Sequence, residues 1–210
     1  MIKIDNKYKT VKDCANAEIV EKRSRFIAYV RPVDTEDGAL EYLNYIKQKH
    51  RDARHNVYAY IIRENNIMRY SDDGEPGGTA GMPVLDMIKK EGLCDIIIVV
   101  TRYFGGVLLG TGGLVRAYST AVVNGLKSAE VVTMCESVRC RIVCPYDKYG
   151  ALQKLLENFS VKRIDTEFSE NIVLTFGIKS EEFRQFDLKV KDAFCGKLSI
   201  KTESEYFDSY

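Results

Sequence analysis

Two rhythms of apolar and polar residues run through the 210-residue chain, a period of two that marks strands and one near 3.6 that marks helices. Residues 16–33 alternate (Ala17, Ile19, Val20, then Phe26, Ala28, Val30) around a charged break at Glu21 to Arg25, and Pro32 follows. This predicts two strands joined by a tight turn. Thr35, with Glu36 and Asp37 behind it, opens a helix whose apolar face is Leu40, Tyr42, Leu43 and Ile46 and which closes on basic residues near Lys49. A polar connector, His50 to His55, leads into a strand over residues 57–62, and Asn65-Asn66 turns the chain back into residues 68–71. Asp72 to Gly78 is too rich in glycine and acids for regular structure. Thr79 is expected to cap a helix over residues 80–90, ended by Gly92. Ile96 to Val100 is apolar without a break, which predicts a central strand covered on both faces. Five glycines follow (Gly105, Gly106, Gly110, Gly112, Gly113). A helix then begins near Thr111, the expected N-cap, with Gly113, Ala117 and Ala121 four apart on a small-residue face.

The pattern restarts near Val131. Val138, Cys140, Ile142 and Cys144 alternate up to Pro145, residues 147–159 are helical, and residues 161–168 and 171–179 are consecutive strands. A helix over 181–193 and a strand over 197–202 complete the order β-α-β-β-α-β of ferredoxin-like domains, with a polar, frayed tail beyond. The expected fold class is therefore α+β in two domains, residues 1–130 and 131–210.

Bulk composition, 45% apolar and 29% charged, is that of an ordinary globular protein, and a net charge of +1 excludes a globally basic nucleic-acid binder. Residues 1–129 carry 19 Lys and Arg against 16 Asp and Glu, net +3; residues 130–210 carry 12 against 14, net −2. The first part is the better candidate to meet an anion. Six cysteines without a C-x-x-C pair, and only two histidines, fit free thiols in a reducing cytosol better than a zinc site. No apolar run spans a bilayer and Met1 to Thr10 is too polar for a signal peptide, so a cytoplasmic protein without membrane contact is expected.

Strand, glycine loop and helix start make an anion site, because the first N–H groups of a helix lack partners and carry its positive dipole end. Arg102 and Arg116 flank the loop, and Tyr103, Phe104 and Tyr118 add aromatic faces. Such a set pairs phosphates and stacks unpaired bases, which suits single-stranded or looped RNA better than duplex DNA. The candidate ligand site is thus Arg102, Tyr103, Phe104, Gly105, Gly106, Gly110, Thr111, Gly112, Gly113, Arg116 and Tyr118. The competing reading is a tight turn in which the glycines serve packing, Tyr103 and Phe104 are core, and Arg102 pairs with a carboxylate such as Asp73. Asp72, Asp73 and Glu75 form a second constellation. With His55 as a base they sketch a metal-assisted hydrolase of a phosphorylated substrate. The plainer reading is an Asx turn with Glu75 facing solvent, and it is preferred because no second carboxylate set follows. Catalysis is thus unassigned, with His55, Asp72, Asp73 and Glu75 as candidates, and no metal or cofactor is expected. Neither a phosphate-binding G-x-x-x-x-G-K-[ST] loop nor a G-x-S-x-G elbow is present.

Two long blocks carry a family resemblance: Arg69-Tyr-Ser-Asp-Asp-Gly-Glu-Pro-Gly-Gly-Thr-Ala-Gly-Met-Pro83 and Val100-Thr-Arg-Tyr-Phe-Gly-Gly-Val-Leu-Leu-Gly-Thr-Gly-Gly-Leu-Val-Arg-Ala-Tyr-Ser119. With the shorter Asp52-Ala-Arg-His-Asn-Val-Tyr-Ala-Tyr60 they resemble the YigZ/IMPACT family, its bacterial branch by length. The resemblance implies a first domain of the βαβ sandwich type of ribosomal proteins and ribonuclease PH, and a second similar to a domain of elongation factor G. Eukaryotic relatives act in translational control through an additional N-terminal domain, so their partner does not transfer. For this chain the resemblance implies contact with RNA, a ribosome or a translation factor and regulation of translation, with a non-catalytic protein adaptor as the alternative. Val57 stands where the family often has Cys, which weighs against a nucleophile there.

Overall fold

The structure, a computed structural model, describes residues 6–210. It divides into two compact units, residues 1–133 and 134–210. In the first, the strands β1 (Lys7–Val11), β2 (Ala15–Glu21), β3 (Ser24–Pro32), β4 (His55–Ile62), β5 (Ile67–Ser71) and β6 (Ile96–Tyr103) alternate with the helices α1 (Glu36–Lys49), α2 (Gly81–Lys90) and α3 (Thr111–Ser128). Five of the strands form an antiparallel sheet in the order β2-β3-β6-β4-β5. β6 lies at its centre, and Ile96 to Val100 are each 0% exposed. Alternation splits them between two cores. Ile96, Ile98 and Val100 pack with Phe26, Val57 and Ala59 under α2 and α3, while Ile97 and Val99 pack with Tyr29, Tyr60 and Ile62 under α1. Each such side chain gains roughly 1.5–3 kcal/mol on leaving water, and the doubly covered strand is what a continuous β-branched run requires.

Local signals place the remaining pieces. The β2–β3 turn carries Lys22 (φ 45°) and Arg23 (φ 65°), the left-handed pair that a two-residue hairpin needs. Thr35 Oγ1 accepts from Gly38 N and caps α1, as its sequence predicts. Asp95 (φ 52°) ties three segments together. Its carbonyl accepts from Val33 N and Thr10 Oγ1, and its carboxylate accepts from Arg63 N at 2.7 Å. The small-residue face of α3 extends to Gly125, where a Cβ would lie 3.0 Å from Val30 Cγ2 and 3.1 Å from Ala28 Cβ.

The second unit runs β7 (Val131–Cys144), α4 (Tyr146–Leu156), β8 (Val161–Phe168), β9 (Ile172–Lys179), α5 (Ser180–Ala193) and β10 (Ile200–Ser209), with β7 starting shortly before the boundary. Its antiparallel strands lie in the order β8-β9-β7-β10, the ferredoxin-like arrangement. Val138, Cys140, Ile142, Leu174, Phe176 and Ile178 pack beneath Leu152, Phe186 and Val190 of the two helices. The chain is thus α+β, with two sheets and five α-helices among the described residues.

Three expectations are corrected. The tail beyond Thr202 is strand, because β10 pairs with β7 from Ile142 to Met134 across a bulge at Thr202/Ser204. Tyr206 lies over Gly177, where a Cβ would collide with its hydroxyl, so an aromatic ring fills the glycine's gap. Thr79 does not cap α2: its hydroxyl donates to Pro76 O, and the cap position is Ala80. The cap of α3 is Gly110 (φ 72°), with Thr111 the first helical residue, since a left-handed backbone there suits glycine.

Two measurements follow from these placements. His50 is buried, with Tyr29 Oη and Tyr103 Oη each 2.7 Å from its ring nitrogens, and Tyr103 donates to Asp52. Burial, then the neighbouring Lys49, holds its pKa below the usual value, with Asp52 opposing and Arg25 reinforcing. The unfolded chain therefore binds the proton first, so stability is flat above about pH 7 and falls as pH drops below about 6.5. Urea midpoints between pH 7.5 and 5.5 should show that fall, and His50→Gln should flatten it. The glycines form the second test. A Cβ at Gly105 would collide with the Arg23 carbonyl, whereas Gly112 has open space and an ordinary helical φ. Gly105→Ala should cost about 1–3 kcal/mol, and Gly112→Ala should be neutral or stabilise by up to about 1 kcal/mol, read by denaturant titration.

Candidate functional site

A turn, a strand end and a helix start meet at one end of the first sheet. Residues 72–75 make a tight turn closed by Glu75 N donating to Asp72 O at 3.0 Å, with Asp73 (φ 44°) and Gly74 (φ 87°) both left-handed. The three carboxylates of this turn point to three different places. Asp72 accepts from the backbone N–H groups of Gly78, Ala80 and Gly81, so it caps α2 from eight and nine residues upstream. Asp73 accepts from Asn56 N at 2.7 Å and pairs with Lys47 at 3.2 Å. Glu75 turns inward and is 8% exposed. Asp72 and Asp73 accept backbone N–H groups, but from distant residues and not in the expected Asx turn, and the solvent-facing Glu75 is corrected as well. No group of three metal-ligating side chains forms among the described residues.

Glu75 is buried because partners wait for it. Its Oε1 accepts from Arg102 Nη1 at 2.6 Å and from Tyr118 Oη at 2.7 Å. The Arg102 guanidinium lies 5.3 Å from the Phe26 ring centroid and 5.6 Å from that of Phe104. Phe26 and Tyr118 in turn meet edge to face at 5.1 Å. Removing one partner of such a buried pair costs roughly 3–5 kcal/mol, since it strands a charge. Burial, then the Glu75 carboxylate, pushes the Tyr118 phenol far above its ordinary range, so it stays a donor at every working pH. His55 completes the group, its Nδ1 2.8 Å from Asp73 O and its Nε2 3.9 Å from Glu75 Oε1.

Of these residues, His55, Glu75, Arg102 and Phe104 line a cavity of about 380 Å³. His55, Gly74, Glu75 and Pro76 make one side, and Gly110, Thr111 and Leu114 at the start of α3 make another. Arg54, which sequence reasoning missed, stands at the mouth and is exposed. Phe104, Leu108 and Leu109 form an apolar lip, with Phe104 40% and Leu108 82% exposed.

The structure gathers only part of the expected ligand set here. Arg102, Phe104, Gly110 and Thr111 line the cavity; Tyr103, Gly105, Gly106, Gly112, Gly113, Arg116 and Tyr118 do not. Strand alternation sends Tyr103 to the α1 side, where it meets His50. Tyr118 is 0% exposed and offers no face for stacking. Arg116 is exposed on α3 outside the cavity lining. Gly105 serves close packing on Arg23 rather than a ligand, and Gly106 (φ 83°) serves the loop's conformation. Arg102 pairs with a carboxylate, as the competing reading holds, but with Glu75 instead of Asp73.

Residues 22–126 match the Impact N-terminal domain and residues 142–197 match a domain of unknown function, DUF1949. IMPACT family member YvyE of Bacillus subtilis is 40% identical over 198 residues, 92% of this chain and 90% of the relative. IMPACT family member YigZ of Escherichia coli is 31% identical over 182 residues, 85% of this chain and 89% of the relative. Protein IMPACT homolog of Dictyostelium discoideum is 38% identical over 107 residues, 49% of this chain and 30% of that protein. A crystal structure described as that of a hypothetical protein superposes with a TM-score of 0.63 at 28% identity, covering 96% of this chain and 99% of the other. No helix among the described residues is long and apolar enough to cross a membrane. The blocks that build the cavity, Asp52 to Tyr60, Arg69 to Pro83 and Val100 to Ser119, fall inside the Impact N-terminal match, and the chain belongs to the IMPACT family.

Proposed function

We propose that the first unit binds single-stranded RNA, with one unpaired nucleotide entering the cavity, and that the protein regulates translation through this contact. The observation that carries the reading is the pairing, around one cavity, of an exposed aromatic lip at Phe104 with Arg54 and the N-terminus of α3. An unpaired base has a face to stack on Phe104, and a phosphate suits the free N–H groups and dipole of an 18-residue helix. A volume of about 380 Å³ lies in the range of small-ligand sites and accommodates a single nucleotide. The step from RNA to translation rests on the family resemblance.

A protein partner is the second reading, favoured by one feature: Leu108 is 82% exposed beside Val107 at 39%, an apolar tip that RNA does not require.

The test is anisotropy titration of a labelled single-stranded RNA over a range of salt. Phe104→Ala should weaken binding by roughly 1–3 kcal/mol through lost stacking. Arg54→Ala should weaken binding alike across sequences and reduce the salt slope by about 0.7. Arg116→Ala, outside the cavity, should leave both unchanged. Absence of RNA binding, or undiminished binding by the Phe104 and Arg54 variants, removes this reading and promotes the protein partner.

A further inference from the structure

We propose that His55 is a general base that cleaves the bound RNA by activating a ribose 2′-hydroxyl. The inference rests on the RNA reading above and adds an activity to it. Its starting point is the tautomer of His55. A backbone carbonyl only accepts, so Asp73 O at 2.8 Å requires the proton on Nδ1, and Nε2 is left with its lone pair. The carbonyl is held in place, because the Asp73 carboxylate is fixed by Asn56 N and Lys47 and its backbone lies at φ 44°. The side chain of His55 is 13% exposed and lines the cavity, so this lone pair belongs to a fixed, partly enclosed imidazole beside the ligand space.

At 3.9 Å, Nε2 is too far from Glu75 Oε1 for a hydrogen bond, so the carboxylate does not occupy its lone pair. Glu75 is held where it is by Arg102 and Tyr118, so its charge is fixed before any reaction. The cavity also holds the means to receive a phosphodiester. Arg54 and Thr111, the first residue of α3, line it, and so does Arg102, whose side chain is 6% exposed and whose Nε is buried without a hydrogen-bond partner. An anionic oxygen in the cavity is the group such donors would answer.

The step balances without a co-reactant. His55 Nε2 takes the proton of a 2′-hydroxyl, the 2′-oxygen bonds to the adjacent phosphorus, and the bond from phosphorus to the 5′-oxygen breaks. One product ends in a 2′,3′-cyclic phosphate. The other begins with a 5′-hydroxyl, protonated by the proton from Nε2 through solvent.

The experiment incubates the full chain with a 5′-labelled single-stranded RNA, its 2′-O-methyl counterpart and the matching DNA, with binding to each measured in parallel. The expected result is fragments ending in cyclic phosphate from the RNA alone. His55→Gln and His55→Ala, purified identically and each compared at RNA concentrations that saturate it, should cut at least about 100-fold more slowly. Cleavage of the 2′-O-methyl strand, or undiminished cutting by both variants, overturns the proposal and needs no change in binding to do so. RNA that binds and stays intact overturns it while leaving the binding reading in place. RNA that does not bind removes both.

Discussion

The buried carboxylate of Glu75 is the constraint on which the working end of the first unit depends. An ionised side chain at 3% side-chain exposure is tolerable only with full compensation, here Arg102 Nη1 at 2.6 Å and Tyr118 Oη at 2.7 Å. Each partner comes from a different element: Glu75 from the turn before α2, Arg102 from the end of β6, Tyr118 from the second turn of α3. One acceptor atom therefore fixes three elements relative to each other. The glycine-containing segment between Arg102 and Tyr118 is held at both ends by the same charge, which keeps the α3 start and the Phe104 lip facing one cavity. A neutral glutamine would offer an acceptor but not the charge, leaving the guanidinium uncompensated between Phe26 and Phe104.

Much of the fold was legible because its determinants are local. The continuous run at Ile96 to Val100, the alternation of residues 16–33 and the Thr35 cap each act within a few residues, and each appears where the sequence places it. The cap of α2 failed for the converse reason. Asp72 reaches Ala80 and Gly81 across a loop whose path no local pattern encodes. The extension of β10 beyond Thr202 was hidden by its polarity: residues such as Glu203 and Glu205 lie exposed at a sheet edge, where pairing with β7 decides the structure and side-chain hydropathy does not.

Part of the candidate set gathers around one cavity and part does not, and signals present in the sequence separate some of the two groups. Residues 114, 117, 118, 121, 122 and 125 form a helical stripe, and all are buried, so Tyr118 was marked as core by its own spacing. Likewise, a strand at residues 96–103 sends Arg102 and Tyr103 to opposite faces, so alternation alone separates them. Arg54 and the inward Glu75 had no such signal. The position of Glu75 depends on a turn with two successive left-handed residues, one of them the non-glycine Asp73, and on contacts spanning 27 and 43 positions of sequence.

The pairing of β10 with β7 has a further consequence, in the order of events during synthesis. β7 is the first strand of its unit to be made, yet its residues Ile142 and Met134 wait for Ile200 and Ser209. At ribosomal rates of roughly 5–20 residues per second, that edge stays open for several seconds while the first unit is already complete in the nascent chain. An open edge is a template for pairing with other chains. The exposed charges that obscured β10 in the sequence have counterparts on β7 itself, at Arg139 and Arg141, which alternate with the buried Val138, Cys140 and Ile142. Like charges on neighbouring copies repel, so the nascent edge carries its own protection against pairing with the wrong strand until the right one emerges.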